Sequence, residues 1–211
     1  MQSLRDFLHN VRDPQALIAW GGYAGLSLII FAETGLLIGF FLPGDSLLVT
    51  AGLLAATKNI FNVYQLGLLL TVASILGNTV GYSIGRATGP RLFKREDSLL
   101  FNKKHLYRAH EFYERHGGAT VIIARFMPIV RTFVPVVAGM AQMGYRQYTL
   151  YNVIGGVAWI WSMLFIGYFL GRYIPGIDKH IEPVILAVIF ISLLPGIIGW
   201  YRARKAPSPT R

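Results

Sequence analysis

RFMPIVRTFVPVVAG, residues 125–139, is the stretch of sequence that decides the fold. It lies within an apolar run from 117 to 143, which is long enough to cross a membrane, since about 20 apolar residues in a helix span the hydrocarbon core. Two arginines and the predicted helix breaks Pro128 and Pro135 interrupt the run. Irregular backbone at membrane depth needs protein or a water-filled cavity around it. The stretch therefore predicts a re-entrant helical hairpin, which enters the membrane and returns to the same side.

A second apolar segment, 33–57, is interrupted in the same way. It begins at Glu33 and holds Pro43, Gly44 and Asp45 near its centre. The proline and the glycine are the predicted break of this hairpin. Since broken backbone has to be shielded from lipid, we expect the two hairpins to face each other in the centre of the protein.

The whole chain has the composition of a membrane protein. Of its 211 residues, 54% are hydrophobic and only 14% are charged, whereas about a quarter of the residues of a soluble domain are charged. The predicted fold class is an all-α polytopic membrane protein, with a single membrane domain over residues 1–211. Apolar runs of sufficient length predict about four full transmembrane helices, at 15–32, 63–86, 146–171 and 183–201.

The net charge of +10 is an orientation signal. Basic residues concentrate in 87–116, which is predicted as a loop or an interfacial amphipathic helix, and in the tail at 202–211. Cytoplasmic segments carry the excess of Lys and Arg, so both should be cytoplasmic. With a cytoplasmic N-terminus, this holds only if the two hairpins do not cross. Because the basic residues flank membrane segments, the charge gives no support for nucleic-acid binding.

The two hairpins belong to a predicted internal repeat. The pattern FxP at 41–43 recurs at 126–128, and GYxxGR at 81–86 recurs at 167–172. In the topology above, the two units have opposite orientations, so the repeat is inverted. Inverted repeats with interrupted helices point to a transporter site near the membrane midplane. Small residues four apart also predict close helix packing at four positions, Gly81, Gly85, Gly167 and Gly171.

Four residues are, tyrosines aside, the ionisable groups of the two hairpins: Glu33, Asp45, Arg125 and Arg131. A charge at mid-bilayer costs about 2.5–3.5 kcal/mol on insertion scales, so we expect the four to compensate one another. The carboxylates are candidates for carrying a proton, and the planar fork of arginine suits phosphate. Two alternatives stay open: Asp45 only caps the helix that follows it, and each arginine only neutralises a carboxylate.

The sequence predicts no metal, no other cofactor and no enzyme. It contains no cysteine, and its five histidines form no metal-binding pattern. It also lacks a lipid-phosphatase pattern and an acidic metal-binding cluster in its polar segments. Since the sequence also places no histidine, cysteine or other clear nucleophile at membrane depth, an enzyme that acts on lipid phosphates is not expected.

At these residues the chain resembles the DedA family, bacterial relatives of the eukaryotic VTT-domain lipid scramblases. The resemblance implies an inner-membrane protein with two re-entrant hairpins, linked to membrane potential, envelope integrity and resistance to cationic peptides. In some members it implies the return of undecaprenyl phosphate across the membrane. It also implies that the essential acidic and basic pairs are those named above. The matching elements are Glu33, FLPGD at 41–45, Ala51-Gly52, GNxxGYxxGR at 77–86, the 125–139 stretch, Asn152, Gly155 and Trp159.

The leading hypothesis is a proton-coupled translocase, or flippase, of an anionic lipid phosphate, with undecaprenyl phosphate as the best candidate, in the bacterial cytoplasmic (inner) membrane. Arg125 and Arg131 are assigned to the phosphate, and Glu33 and Asp45 to the proton. The alternative is a proton-coupled antiporter of small cations or cationic drugs, in which the arginines only balance charge. The expected partners are the lipid and protons, and a homo-oligomer is compatible with the sequence.

Overall fold

The computed structural model describes residues 14–36, 44–58, 60–93, 118–174, 176–177 and 183. These residues form helices and no strand, which confirms the all-α expectation for this part of the chain. Pro43, the predicted segment 87–116 beyond Phe93, the predicted last helix after Pro183 and the 202–211 tail lie outside the described residues. The helices are α1 (Pro14–Gly35), α2 (Gly44–Thr57), α3 (Val63–Phe93), α4 (Ala119–Ala124), α5 (Pro128–Met140) and α6 (Tyr145–Tyr173).

Two of these helices, α3 and α6, are long and apolar enough to cross a membrane. Their apolar parts are Val63–Gly89, with 27 residues, and Tyr145–Tyr173, with 29 residues. At about 1.5 Å per residue, each exceeds the roughly 30 Å of a hydrocarbon core. With 14 and 13 residues, α2 and α5 are too short to span it. Outward-facing apolar side chains on α3 and α6, such as Leu68 and Phe169, are exposed, as a lipid-facing surface requires.

The course of α1 differs from the predicted crossing helix at 15–32. Its backbone is bent at Gly22, whose φ of 51° and ψ of −147° lie where glycine is favoured. After the bend, Tyr23 accepts a hydrogen bond from the backbone N–H of Asn62, at the start of α3, and Gly35 lies against Gly77 in the middle of α3. This part of α1 therefore runs in the same direction as α3. The predicted topology needs opposite directions for a crossing helix at 15–32 and for α3, whereas the part of α1 after the bend at Gly22 runs parallel to α3.

The segment before α3 begins and ends at one end of the helix bundle, and the segment between α3 and α6 begins and ends at the other end. Tyr23 of α1 lies by the start of α3, and Thr57 of α2 lies by Gly171, at the end of α6. The end of α6 and the start of α3 lie at the same end of the bundle, because the two long helices run in opposite directions. At the far end, α4 starts by Tyr151 and α5 finishes by Gly89.

Pro135, predicted as a break of the second hairpin, does not end a helix. It is buried within α5, which continues to Met140. The proline removes one helical hydrogen bond, but the helix packs closely along α3, where Pro135 lies against Gly81. Pro128, in contrast, begins α5 and follows a residue with extended backbone, as expected for a break.

Each short helix packs against the long helix of the other half of the chain. The helix α2 lies along α6, and α5 lies along α3. At both contacts a glycine lets two backbones touch: a Cβ at Gly167 would overlap Val49 O, and a Cβ at Gly85 would overlap Val136 O. Gly171 also faces α2, as Gly81 faces α5. The four predicted packing glycines therefore lie at these two helix contacts.

Gly167→Ala is expected to destabilise the protein by about 1–3 kcal/mol, because the added methyl group collides with backbone rather than with a movable side chain. The matched control is Gly25→Ala in α1, where nothing lies within 4 Å of the added atom. Alanine is the better helix former there, so the control should be neutral or slightly stabilising. Unfolding midpoints of the two purified variants test this, and equal midpoints would contradict the close α2–α6 contact.

Candidate functional site

Both carboxylates of the hairpins bind one arginine, Arg131. Its Nη1 donates to Asp45 Oδ1 at 2.6 Å, and its Nη2 donates to Glu33 Oε1. The three residues come from the first turn of α5, the first turn of α2 and the last turn of α1, and their exposed fractions are 7% or less. A fork that holds two separate carboxylates is a strong, directional ion-pair arrangement. We name Arg131, Glu33 and Asp45 the charge triad.

Gly44, the first residue of α2, lies directly against Glu33. The carboxylate of Glu33 occupies the place where any other residue at position 44 would carry its Cβ. The acid therefore lies at the N-terminus of α2, beside Asp45 in the first helical turn. The partial positive charge of a helix N-terminus stabilises carboxylates at that position.

Trp159 of α6 completes the surroundings of the charge triad. Its indole Nε1 donates to Asp45 Oδ1 at 2.9 Å. Its ring also faces the guanidinium of Arg131, with 4.6 Å between the ring centroid and Cζ, which is a cation–π distance. Trp159 is one of the residues that match the family, but its position in the sequence does not predict this contact.

The second arginine, Arg125, has uncharged partners. It lies at the end of α4 and is only 2% exposed. Its Nη1 donates to Ser74 Oγ at 2.6 Å, and its Nη2 donates to Asn152 Oδ1. Within the described ranges no carboxylate is close enough to pair with it. The alternative in which each arginine neutralises one carboxylate does not hold here: both carboxylates lie on Arg131, because α1, α2 and α5 meet there, whereas α4 ends against α3 and α6.

Asn78 connects Arg125 to the end of α1, which carries the Glu33 that binds Arg131. Both ends of its side-chain amide form hydrogen bonds when the oxygen accepts from Arg125 Nη2 at 2.6 Å and the nitrogen donates to the backbone oxygen of Thr34 at 2.8 Å. Thr34 follows Glu33 directly in the chain. A single amide thus connects the guanidinium of Arg125 to the helix end that holds the charge triad.

Three polar atoms of the site have no hydrogen-bond partner among the residues that the structure describes: Glu33 Oε2, Arg125 Nε and Arg131 Nε. Buried polar groups without partners are rare, because each costs about 1–3 kcal/mol in lost solvation. Spare donors on two guanidiniums fit a site that receives further acceptor atoms. In the same part of the chain, no group of three or more acidic or histidine side chains is placed to hold a metal ion.

A pair of stacked tyrosines covers the site on the side where α6 begins. The rings of Tyr82 and Tyr148 are 4.3 Å apart and nearly parallel, and both residues are buried. Tyr148 also donates to the backbone oxygen of Asn78 at 2.9 Å. Each tyrosine lies one helical turn from an asparagine of the Arg125 surroundings, Asn78 or Asn152. The stack therefore closes the polar cluster at this end.

Comparison with known proteins identifies the family. The sequence profile of the VTT domain matches residues 42–169, which is more than half of the chain and includes Asp45, both arginines and Trp159. The chain is a member of the DedA family. It is 47% identical over 185 residues to protein DedA of Escherichia coli K12, an alignment that covers 87% of this chain and 84% of that protein.

Other relatives of this DedA-family chain are also membrane proteins by name. It is 40% identical over 178 residues to the inner membrane protein YqjA of Escherichia coli K12, covering 84% of this chain and 80% of YqjA. It is 41% identical over 197 residues to an uncharacterized membrane protein of Mycobacterium leprae, covering 93% and 87%. No solved structure matches the chain. Together with the two long apolar helices, these relatives make the chain a membrane protein.

Proposed function

We propose that the protein is a proton-coupled translocase of an anionic lipid phosphate, with undecaprenyl phosphate as the favoured cargo, in the bacterial inner membrane. One observation carries this proposal: a fully buried guanidinium, that of Arg125, has only uncharged partners in the described part of the chain, next to a charge triad that includes two carboxylates. Membership in the DedA family supports a role in membrane transport.

The charges suggest how a proton and an anion are coupled. The formal charges of Arg125 and the charge triad sum to zero, because two guanidiniums balance two carboxylates. When a monoanionic headgroup enters, the site gains one uncompensated negative charge, which is costly at membrane depth. A proton on Glu33 or Asp45 restores neutrality. Each negative charge on the cargo therefore requires one proton, and neither is favoured to cross alone.

The arrangement of the helices supports passage through the centre of the membrane. The short helices α2 and α5 approach the site from opposite ends of the bundle, as the second limbs of two re-entrant hairpins would, with the end of α1 and with α4 as the first limbs. Each packs on the long helix of the other half, as an inverted repeat would. In this proposal the headgroup crosses between the hairpins while the lipid chain stays along the apolar outer faces of α3 and α6.

The proposal is tested by reconstituting the purified protein in liposomes with a labelled farnesyl phosphate in one leaflet. We expect the label to become accessible to a phosphatase on the other side much faster than in protein-free vesicles. A labelled phosphatidylcholine, whose headgroup is zwitterionic, serves as the matched cargo and should not move faster. Equal acceleration of both lipids would contradict a translocase selective for anionic headgroups.

A second candidate is a proton-coupled antiporter of small cations or cationic drugs. The charge triad favours it, because its three residues carry one negative charge in excess and Glu33 Oε2 has no partner among the described residues. Vesicles with a preset pH gradient separate the two candidates. Potassium, sodium or ethidium should discharge the gradient if the antiporter is correct, whereas only the lipid phosphate should do so under the leading proposal.

A further inference from the structure

We propose that the cargo's phosphate binds at a site formed by Arg125, Ser74, Asn78 and Asn152, and that Arg131 is not part of this site. The ligand class is a phosphate monoester at the end of an alkyl or prenyl chain. This inference rests on the proposed translocase function and divides its two arginines into different roles. We name these four residues the Arg125 site.

The two arginines differ in the chemistry of the partners that they already have. To bind a phosphate through its two Nη groups, Arg131 would have to release two carboxylates and leave them buried without their cation, and only its Nε has no partner among the described residues. Arg125 releases only a hydroxyl and amide oxygens. Hydrogen bonds between two charged groups are stronger than those from a charged group to a neutral one. Exchange of the present partners for a phosphate therefore strengthens the hydrogen bonds of Arg125, whereas at Arg131 it breaks two ion pairs.

Several hydrogen-bond donors converge at Arg125. Its Nε has no partner in the described part of the chain and is buried, and its two Nη atoms now donate to neutral oxygens. The hydroxyl of Ser74 can rotate to donate, whereas Asn152 Nδ2 already donates to Ile75 O at 3.1 Å and to Thr79 Oγ1 at 3.3 Å. A phosphate monoester offers three acceptor oxygens, so it can use the donors of Arg125 and Ser74 together, whereas an alcohol offers one.

Two glycines of α6 fix the position of the guanidinium. Gly155 and Gly156 are consecutive and buried, and a Cβ on either would crowd Arg125, at 3.0 Å from Cδ and 3.4 Å from Nη1 respectively. Side chains at these positions would press on the arginine. The two glycines therefore let Arg125 lie directly on the backbone of α6, beside its partner Asn152.

Asn78 gives the Arg125 site a connection to the proton-carrying residues. Its amide bridges Arg125 Nη2 and the backbone oxygen of Thr34, next to Glu33. An anion that takes over Arg125 Nη2 frees this amide from the guanidinium and so alters the end of α1. Asn78 is therefore a positioning residue, which reports the presence of the anion to the charge triad.

The test is Asn152→Asp, which places a carboxylate on Arg125 with almost no change in shape. It adds an ion pair but removes the donor to Ile75 O, so size-exclusion chromatography verifies the fold first. It should weaken the binding of farnesyl phosphate by about tenfold or more, because the guanidinium is then occupied. Ser74→Asp makes the same change from α3 and should have the same effect. The matched control is Asn62→Asp, which adds an equal charge at the start of α3, where Asn62 accepts from the N–H groups of Tyr64 and Gln65.

Binding is measured on the full chain in detergent with three probes: farnesyl phosphate, inorganic phosphate and farnesol. We expect the wild-type protein and Asn62→Asp to bind farnesyl phosphate alone. If wild type binds it and both carboxylate variants bind it equally well, the Arg125 site is wrong while the translocase proposal stands. If wild type binds inorganic phosphate equally well, the lipid as ligand is wrong. If wild type binds none of the probes, the translocase proposal fails and this inference fails with it.

Discussion

Arg125→Ala should abolish lipid-phosphate transport, down to the rate of protein-free liposomes, while the protein still folds. The substitution removes the cation that has no carboxylate partner in the described ranges, so the bound phosphate would be a buried anion without compensation. The fold should survive, because the groups left behind are a hydroxyl and amides that can bind one another. The measurement is movement of labelled farnesyl phosphate between leaflets, with size-exclusion chromatography to verify the fold.

The control for this variant is Arg172→Ala. Arg172 is an exposed arginine in the last turn of α6, with Tyr168 OH 3.4 Å away as its partner. Its removal deletes the same charge from the protein, but far from the site, so transport should stay at the wild-type rate. If Arg125→Ala transports as fast as Arg172→Ala, Arg125 does not bind the cargo.

Arg131→Ala should have a different result, which is loss of stability. It leaves Glu33 and Asp45 buried beside each other without their cation. Breaking a buried ion pair by removing one partner costs about 3–5 kcal/mol, because the other charge stays buried. Loss of the contact with the ring of Trp159 adds to this. Denaturant-induced unfolding in mixed micelles, compared with wild type, measures the effect.

A neutral variant distinguishes charge from shape in this second prediction. Arg131→Ala combined with Glu33→Gln and Asp45→Asn removes all three charges of the charge triad and leaves only the positive charge of Arg125. Since no carboxylate is then buried without its cation, most of the lost stability should return. Proton coupling should not return, since no carboxylate remains at the site. If Arg131→Ala alone is as stable as wild type, or if the neutral variant is no more stable than Arg131→Ala, the charge triad does not hold the hairpins together.

Sequence reasoning reached those features that depend on composition and on helix-breaking residues. The break at Pro128 was predictable, because proline fixes its own φ and restricts the residue before it. That the carboxylates of the hairpins lie beside an arginine followed from the cost of isolated charges in a membrane, but which arginine holds them did not. The close packing at Gly85 and Gly167 followed from the spacing of small residues.

Other features depend on geometry that the sequence does not encode locally. Gly22 is one of many glycines, and nothing near it indicates a positive φ. Pro135 was expected to break α5, but packing on α3 outweighs the one hydrogen bond that it removes. Arg125 binds uncharged groups while Arg131 binds both carboxylates, and this difference depends on which helices meet at the end of α4. Ser74 gave one usable signal, since it lies four residues before Asn78 and therefore on the same face of α3.

The central claim is that lipid phosphate and protons cross together, and an internal pH-sensitive dye tests it most directly. Proteoliposomes without a pH gradient receive farnesyl phosphate outside, and the internal pH is followed with time. For the wild-type protein we expect acidification that starts with the lipid phosphate and exceeds that in vesicles with Arg125→Ala or without protein. Transfer of the labelled lipid across the membrane by the wild-type protein, with no acidification beyond those controls, would contradict the account.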